Sequence, residues 1–220
     1  MYETIKSNLL RIQEEIAPCK PNIIAVTKYF DESAMLAAYQ AGIRDFGESR
    51  VQIAAEKISK LPDSIKNNSK FHLIGHLQTN KVKLAVKVFD YIHSVDSLKL
   101  AECISTQAQQ VGKIQKVFIQ INNANEEQKF GFSKEDLFKD FAKIQQFKNI
   151  EIVGVMNMAP LGIGEEAILK LFSEIVEIRD ELEYKFNCKL GEISMGMSQD
   201  YRLAAKAGAT YLRIGRELFK

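Results

Sequence analysis

The sequence is poor in the features that would place it in a special class. Its three cysteines, Cys19, Cys103 and Cys188, are odd in number and far apart. That excludes a disulfide framework and a cysteine metal site, and predicts a reducing, cytoplasmic setting. An excess of one charge is also missing, since 30 basic and 28 acidic residues leave a formal net charge of +2, spread along the chain. No nucleic-acid or anionic membrane surface is expected from that balance. No apolar run approaches the ~20 residues of a membrane span. The start, Met1-Tyr2-Glu3-Thr4-Ile5, lacks the basic and apolar regions of a signal peptide. There is no sequence repeat, and the most polar connection, residues 61–70, reads as a surface loop too short to divide the chain. A soluble single domain over residues 1–220 is expected, 46% apolar and 26% charged like ordinary globular proteins.

What is present is one repeating unit: a short apolar run, polar residues, then an amphipathic helix. An extra helix comes first, because Ile5, Leu9, Ile12 and Ile16 recur every three or four residues. After Pro21, Ile23-Ile24-Ala25-Val26 is continuously apolar, as in a strand covered on both faces. Strands are expected at 22–27, 43–46, 71–74, 89–93, 115–121, 150–156, 191–195 and 210–214. Helices are expected near 31–41, 49–60, 79–87, 96–111, 133–147, 164–185 and 199–207. Asp31, Asp96 and Ser133 suit N-caps, and Gly42, Gly112 and Gly208 stand just past helix ends. Eight strands alternating with helices predict an α/β fold, a (β/α)₈ TIM barrel. The rival is an open doubly wound sheet, which favours a Gly-x-Gly-x-x-Gly turn after the first strand. This chain has Thr27-Lys28-Tyr29-Phe30 there.

Chemistry in such a barrel belongs to the C-terminal strand ends. Those positions carry Lys28, Glu48 and Ser49, Gly75 and His76, Ser94, Asn122 and Asn123, Asn157, the segment 194–198, and Gly215. Loops are polar in any protein, so three features carry the argument. Lys28 is either a lysine reaching solvent or, if desolvated, a neutral amine able to condense with an aldehyde. In Ser194-Met195-Gly196-Met197-Ser198-Gln199-Asp200, Gly196 permits close backbone approach to a ligand. Ser198, at a helix start, can hold a phosphate or serve as a plain N-cap. Arg213-Ile214-Gly215-Arg216 supplies a second glycine turn. Loops after strands seven and eight commonly build phosphate sites. A lysine facing such a cup points to an aldehyde that carries a phosphate. Of the three histidines, none has partners at metal-ligand spacing, so no metal is expected, and His93 reads as a strand residue with a satisfied ring.

Ala25-Val26-Thr27-Lys28, Phe46-Gly47-Glu48-Ser49 and the run from His72 to Lys81 form one ordered set. It continues with Gly154-Val155-Met156, the segment 194–200 and Arg213-Ile214-Gly215. In this order and spacing the sequence resembles the YggS/PROSC family of pyridoxal-phosphate-binding (homeostasis) proteins. Their barrel is similar to the alanine racemase N-terminal domain, fold type III. The resemblance covers nearly the whole chain. It implies an internal aldimine of pyridoxal 5′-phosphate on Lys28, a phosphate held by Ser198 and the Gly215 backbone, and Arg213 facing the pyridine nitrogen. Ser49, Met156, Gly196 and Arg216 are the further cofactor contacts expected. Two departures stand out: Ser49-Arg50 where the family usually has Asn-Tyr, and Arg216 in place of a small hydroxyl residue.

A guanidinium at the ring nitrogen disfavours its protonation and weakens the ring as an electron sink. The alternative for Arg213 is a salt bridge to a barrel carboxylate. Racemisation needs a second base, for which Tyr29, Tyr201 and Tyr211 are candidates or mere packing residues. Strand eight ends too near Lys220 for a C-terminal β domain. The resemblance therefore implies a non-catalytic carrier in vitamin B6 homeostasis that serves apo-enzymes, and a monomer is expected separately because no long apolar stripe is left over once the barrel is built. A fold type III racemase and a cofactor-free Schiff-base aldolase remain open. Lys129, after strand five, is either a relay for the aldehyde or a solvated loop lysine.

Overall fold

A computed structural model describes residues 1–124 and 130–220. Its strands are β1 (Asn22–Val26), β2 (Asp45–Glu48), β3 (Lys70–Leu73), β4 (Tyr91–Val95), β5 (Gln115–Gln120), β6 (Ile150–Met156), β7 (Glu192–Met197) and β8 (Tyr211–Ile214). Each pairs in parallel with the next, and β8 returns to β1 with Arg213 opposite Ile24, so the sheet closes into the expected barrel. The helices are α1 (Tyr2–Glu15), α2 (Glu32–Gln40), α3 (Val51–Ser59), α4 (Asp63–Lys66), α5 (Val82–Val88), α6 (Leu98–Gln110), α7 (Lys134–Ile144), α8 (Glu165–Phe186), α9 (Tyr201–Lys206) and α10 (Arg216–Phe219). Among the described residues no helix is long and apolar enough to cross a membrane.

Strands apolar on both faces give two cores. Outward residues such as Ala25, Leu73, Val117 and Leu212 join the helices in one large cluster. Ile24, Phe118, Met156 and Tyr211 fill the inside as a second, separate one. The punctuation holds in most places. Asp31 accepts from Ser33 N and Ser133 from Asp136 N at their helix starts. Gly42, Gly112 and Gly208 take the left-handed φ of 100°, 64° and 98° that closes a helix.

Three expectations are corrected. Strands two and four begin two residues late, at Asp45 and Tyr91. The apolar residues that suggested earlier starts finish helices instead: Ile43 N bonds back to Ala38 O, and Phe89 N bonds to Ala85 O. Ser97, not Asp96, caps α6, its hydroxyl accepting from Leu100 N. The segment 61–70 is no plain loop, since Leu61 is buried and α4 forms one turn there.

The extra helix α1 buries Ile5 and Ile12 and ties the chain ends together. Asn8 Nδ2 donates to the carbonyls of Leu218 and Lys220. Glu15 gathers Arg11, Arg202 and the Tyr201 hydroxyl. Burial pulls the Glu15 carboxyl up, but hydrogen bonds from Arg202, Tyr201 and Arg11 outweigh it and hold the group at about 2. A carboxyl depressed in the folded state stabilises above its ordinary value of 4.5 and loses that contribution as pH falls toward 2. Glu15→Gln should therefore flatten this part of the acid-unfolding curve, followed by circular dichroism between pH 5 and pH 2. Gly154 faces a harder constraint, because a Cβ there would lie 1.7 Å from Glu192 O of β7. Gly154→Ala should cost roughly 3 kcal/mol in urea unfolding, the upper end for overpacking, since backbone cannot yield as a side chain can.

Candidate functional site at the barrel mouth

Lys28 follows β1 at the mouth. Its side chain is exposed, with Nζ 5.1 Å from the centroid of the Tyr29 ring, itself 82% exposed. The expectation of a desolvated amine is thus not met; water reaches Lys28 freely. The backbone just before it is anchored from below. Thr27 Oγ1 donates to Glu48 Oε1 at 2.7 Å, and Lys57 Nζ donates to that same oxygen at 2.5 Å and to Thr27 O at 2.9 Å. Both charges are nearly excluded from solvent. Glu48 was visible as a strand-end carboxylate, whereas Lys57 lies among the apolar positions of α3 and was missed.

Across the mouth, Ser198 is not a helix cap. Asp200 begins α9, its Oδ1 accepting from Met197 N at 2.5 Å. The Ser198 hydroxyl instead turns to the β8–α10 turn, where Gly215 N and Glu217 N both point at Oγ at 3.4 Å. Ser198, Gln199, Arg216, Glu217 and Lys220 line a groove of about 270 Å³. Gly196 has φ +88°, and a Cβ on it would meet Ala204 Cβ at 2.4 Å. The glycine is thus required by the docking of α9, and the ligand approach expected of it has no support here.

Between these two edges lies Arg213, only 4% exposed. Nη1 donates to Ser194 Oγ and Nη2 to Asn157 O, each at 2.7 Å. No ion pair forms with a barrel carboxylate among the described residues, which removes the alternative reading of this arginine. Burial lowers the guanidinium to about 10, opposed by the Asp200 charge, so it remains a cation at neutral pH. Beneath it runs a chain that sequence reading did not assemble: Ser194 Oγ to His93 Nδ1, His93 Nε2 to His72 Nδ1, and His72 Nε2 to Asp45 Oδ1, each 2.9 Å. His93 does have the satisfied ring expected of it.

The remaining expected residues divide. Ser49 is half-buried, and its carbonyl lies so near Gly75 that a Cβ there would sit 2.4 Å away. Met156 is fully buried in the inner cluster. His76 stacks on Phe130 and pairs with Asp96. Asn123 is committed to α8 through Leu171 O. Asn157 Oδ1 and Ser94 Oγ are buried without a partner among the described residues. Lys129 lies outside the described residues. Removing Lys57 should leave the Glu48 carboxylate buried with the Thr27 hydroxyl as its one remaining side-chain donor among the described residues. Lys57→Met is expected to cost about 3–5 kcal/mol in urea unfolding, and the Glu48→Gln, Lys57→Met double variant to recover part of it.

The chain matches the family model for the alanine racemase N-terminal domain over residues 2–220. It is 39% identical over 208 residues to the pyridoxal phosphate homeostasis protein of Synechocystis sp., covering 94% of each chain. It is 32% identical to the protein of that name in Homo sapiens, covering 99% of this chain and 82% of the other. PipY of Synechococcus elongatus PCC7942, solved with PLP bound, is 36% identical with a TM-score of 0.89, covering 98% of this chain and all of that one. The alanine racemase of Clostridium difficile shares the fold at a TM-score of 0.80 and 14% identity, and this chain covers 56% of it. With family model, curated relatives and solved structures in accord, the chain belongs to the alanine racemase N-terminal domain family, among the pyridoxal phosphate homeostasis proteins.

Proposed function

We propose that the chain binds pyridoxal 5′-phosphate through Lys28 and holds or hands on that cofactor in cellular vitamin B6 homeostasis. The observation that carries the reading is the convergence on one barrel mouth of a lysine amine, two backbone N–H groups aimed at one hydroxyl, and a buried guanidinium. The PLP-bound relative PipY supports the choice of ligand.

The residues fit such a group. Gly215 N and Glu217 N converge where an anionic oxygen can replace or join the Ser198 hydroxyl, and Arg216 beside them adds positive charge. The unpartnered Asn157 Oδ1, next to Arg213, leaves polar capacity for a ligand. When bound, the cofactor supplies an aldehyde that a lysine amine captures as a Schiff base. Arg213, charged at neutral pH, opposes a proton on a ring nitrogen placed beside it. That arrangement favours holding over carbanion chemistry.

Two of the three candidate tyrosines are committed elsewhere. Tyr201 gives its hydroxyl to Glu15 on α1, and Tyr211 is buried in the inner cluster, where burial, reinforced by Tyr91, pushes the phenol well above its ordinary range and keeps it protonated. Neither is poised as a second base at the mouth; of the three, only Tyr29 stands there, exposed beside Lys28. Exposure of Lys28 suits release, because water or a second amine can reach the linkage. We place the protein in the cytoplasm as a monomer, with apo-enzymes that need the cofactor as its partners.

Purified protein mixed with pyridoxal 5′-phosphate should turn yellow, bleach with borohydride, and carry the reduced label on Lys28 by mass spectrometry. Lys28→Ala should carry none. A label elsewhere, or none, would refute the site. Exchange of the α-hydrogen of alanine in deuterated buffer would refute the carrier role and restore the racemase.

A further inference from the structure

The interior of a barrel is usually plugged by apolar side chains. Here five strands send polar ones inward instead. Asp45 of β2, His72 of β3, His93 of β4, Ser194 of β7 and Arg213 of β8 touch in series, from the strand starts to the mouth. Each link is 2.7–2.9 Å, and every member but Asp45 is almost wholly buried; the Asp45 side chain keeps 22% exposure.

With both rings neutral, the protons in this series fall into one arrangement. A carboxylate only accepts, so His72 carries its proton on Nε2, toward Asp45. His93 is packed among His72, Tyr91, Tyr211 and Phe118, with Arg213 one residue beyond Ser194. Burial, with His72 and Arg213 adding to it, pushes the His93 ring well below the ordinary histidine value, so it stays neutral. A neutral ring has one proton. On Nδ1 it would meet Ser194 Oγ, which already accepts from Arg213, and the serine proton would lose its acceptor in the chain. Two bare nitrogens would also face each other between the rings. On Nε2, every proton has an acceptor: Arg213 to Ser194, Ser194 to His93, His93 to His72, and His72 to Asp45. The bonds then all run one way, from a cation at the mouth to a carboxylate near the base. Such chains polarise each member in the same sense.

We infer that His93, set by His72 and Asp45, is a positioning residue for Arg213, holding the guanidinium plane that faces the cofactor ring. This rests on the function proposed above. Arg213 makes no ion pair with a carboxylate among the described residues, though the Asp200 charge acts on it, and the series links it to Asp45 at the other end of the barrel.

Two measurements test it on the full chain. Nitrogen-15 spectra of labelled histidine should show His72 and His93 as Nε2–H rings, with His93 uncharged from pH 5 to pH 8. A His93 proton on Nδ1, or an imidazolium, overturns the inference whether or not cofactor binds. The second uses His93→Asn and His93→Gln with equilibrium binding of pyridoxal 5′-phosphate. An asparagine amide reaches about as far as Nδ1 and keeps Ser194 engaged; a glutamine amide reaches about as far as Nε2 and loses it. His93→Gln should bind roughly tenfold more weakly than His93→Asn, the effect of one hydrogen bond to a charged network. Equal binding by the two, which a merely space-filling ring predicts, overturns the inference. Should the borohydride label miss Lys28 while the ring tautomers hold, the proposed function fails and the proton order stands.

Discussion

Arg213 is a guanidinium taken out of water at the seam where β8 meets β1. Burying a charge of that kind costs several kcal/mol unless its donors are answered, and here they are answered by a hydroxyl and a main-chain carbonyl rather than by a carboxylate. The rest of the barrel interior follows from that arrangement. Ser194 must accept, so its own proton needs a base; His93 provides one, and must itself be backed by His72 and Asp45. Closure of the sheet is what brings β2, β3, β4, β7 and β8 around one axis, so the charge is solvated by the fold itself. An open sheet would not enclose these five strands around one interior.

The mouth carries a second buried charge, arranged differently. Lys57 and Glu48 neutralise each other directly, and their common partner is Thr27, the residue before Lys28. A rigid peptide therefore ends in a freely exposed amine. The contrast with Arg213 is chemical: the guanidinium is held by hydrogen bonds away from solvent, while the Lys28 amine is pinned only at its backbone. Holding a ring needs the first property, and giving it up again needs the second.

Much of this was legible in the sequence, because a parallel barrel imposes two-sided burial. Continuous apolar runs marked the strands, and the polar residue after each run marked the rim. The interior series was legible too, though it went unread. His72 stands between Phe71 and Leu73, Ser194 between Ile193 and Met195, and Arg213 between Leu212 and Ile214. A polar residue flanked by two apolar ones, in a strand whose outer face meets helices, must point into the barrel. Register was not legible, because Ile43 and Phe89 are as apolar as strand residues while serving helix ends. Nor were the partners of Ser198 and Gly196, since spacing cannot tell a cap from a hydroxyl turned across to the next strand. The nearness of Ala204 to Gly196 likewise depends on how α9 docks.

The histidines show why composition alone misleads about barrel chemistry. Three in 220 residues look incidental, and neither their number nor their spacing suggested that two of them meet. Two of them nonetheless join the interior series, where the two ring nitrogens of an imidazole meet different partners on opposite sides of the ring. Between an arginine that can only donate and an aspartate that can only accept, the two rings let the proposed single direction of hydrogen bonding cross the barrel.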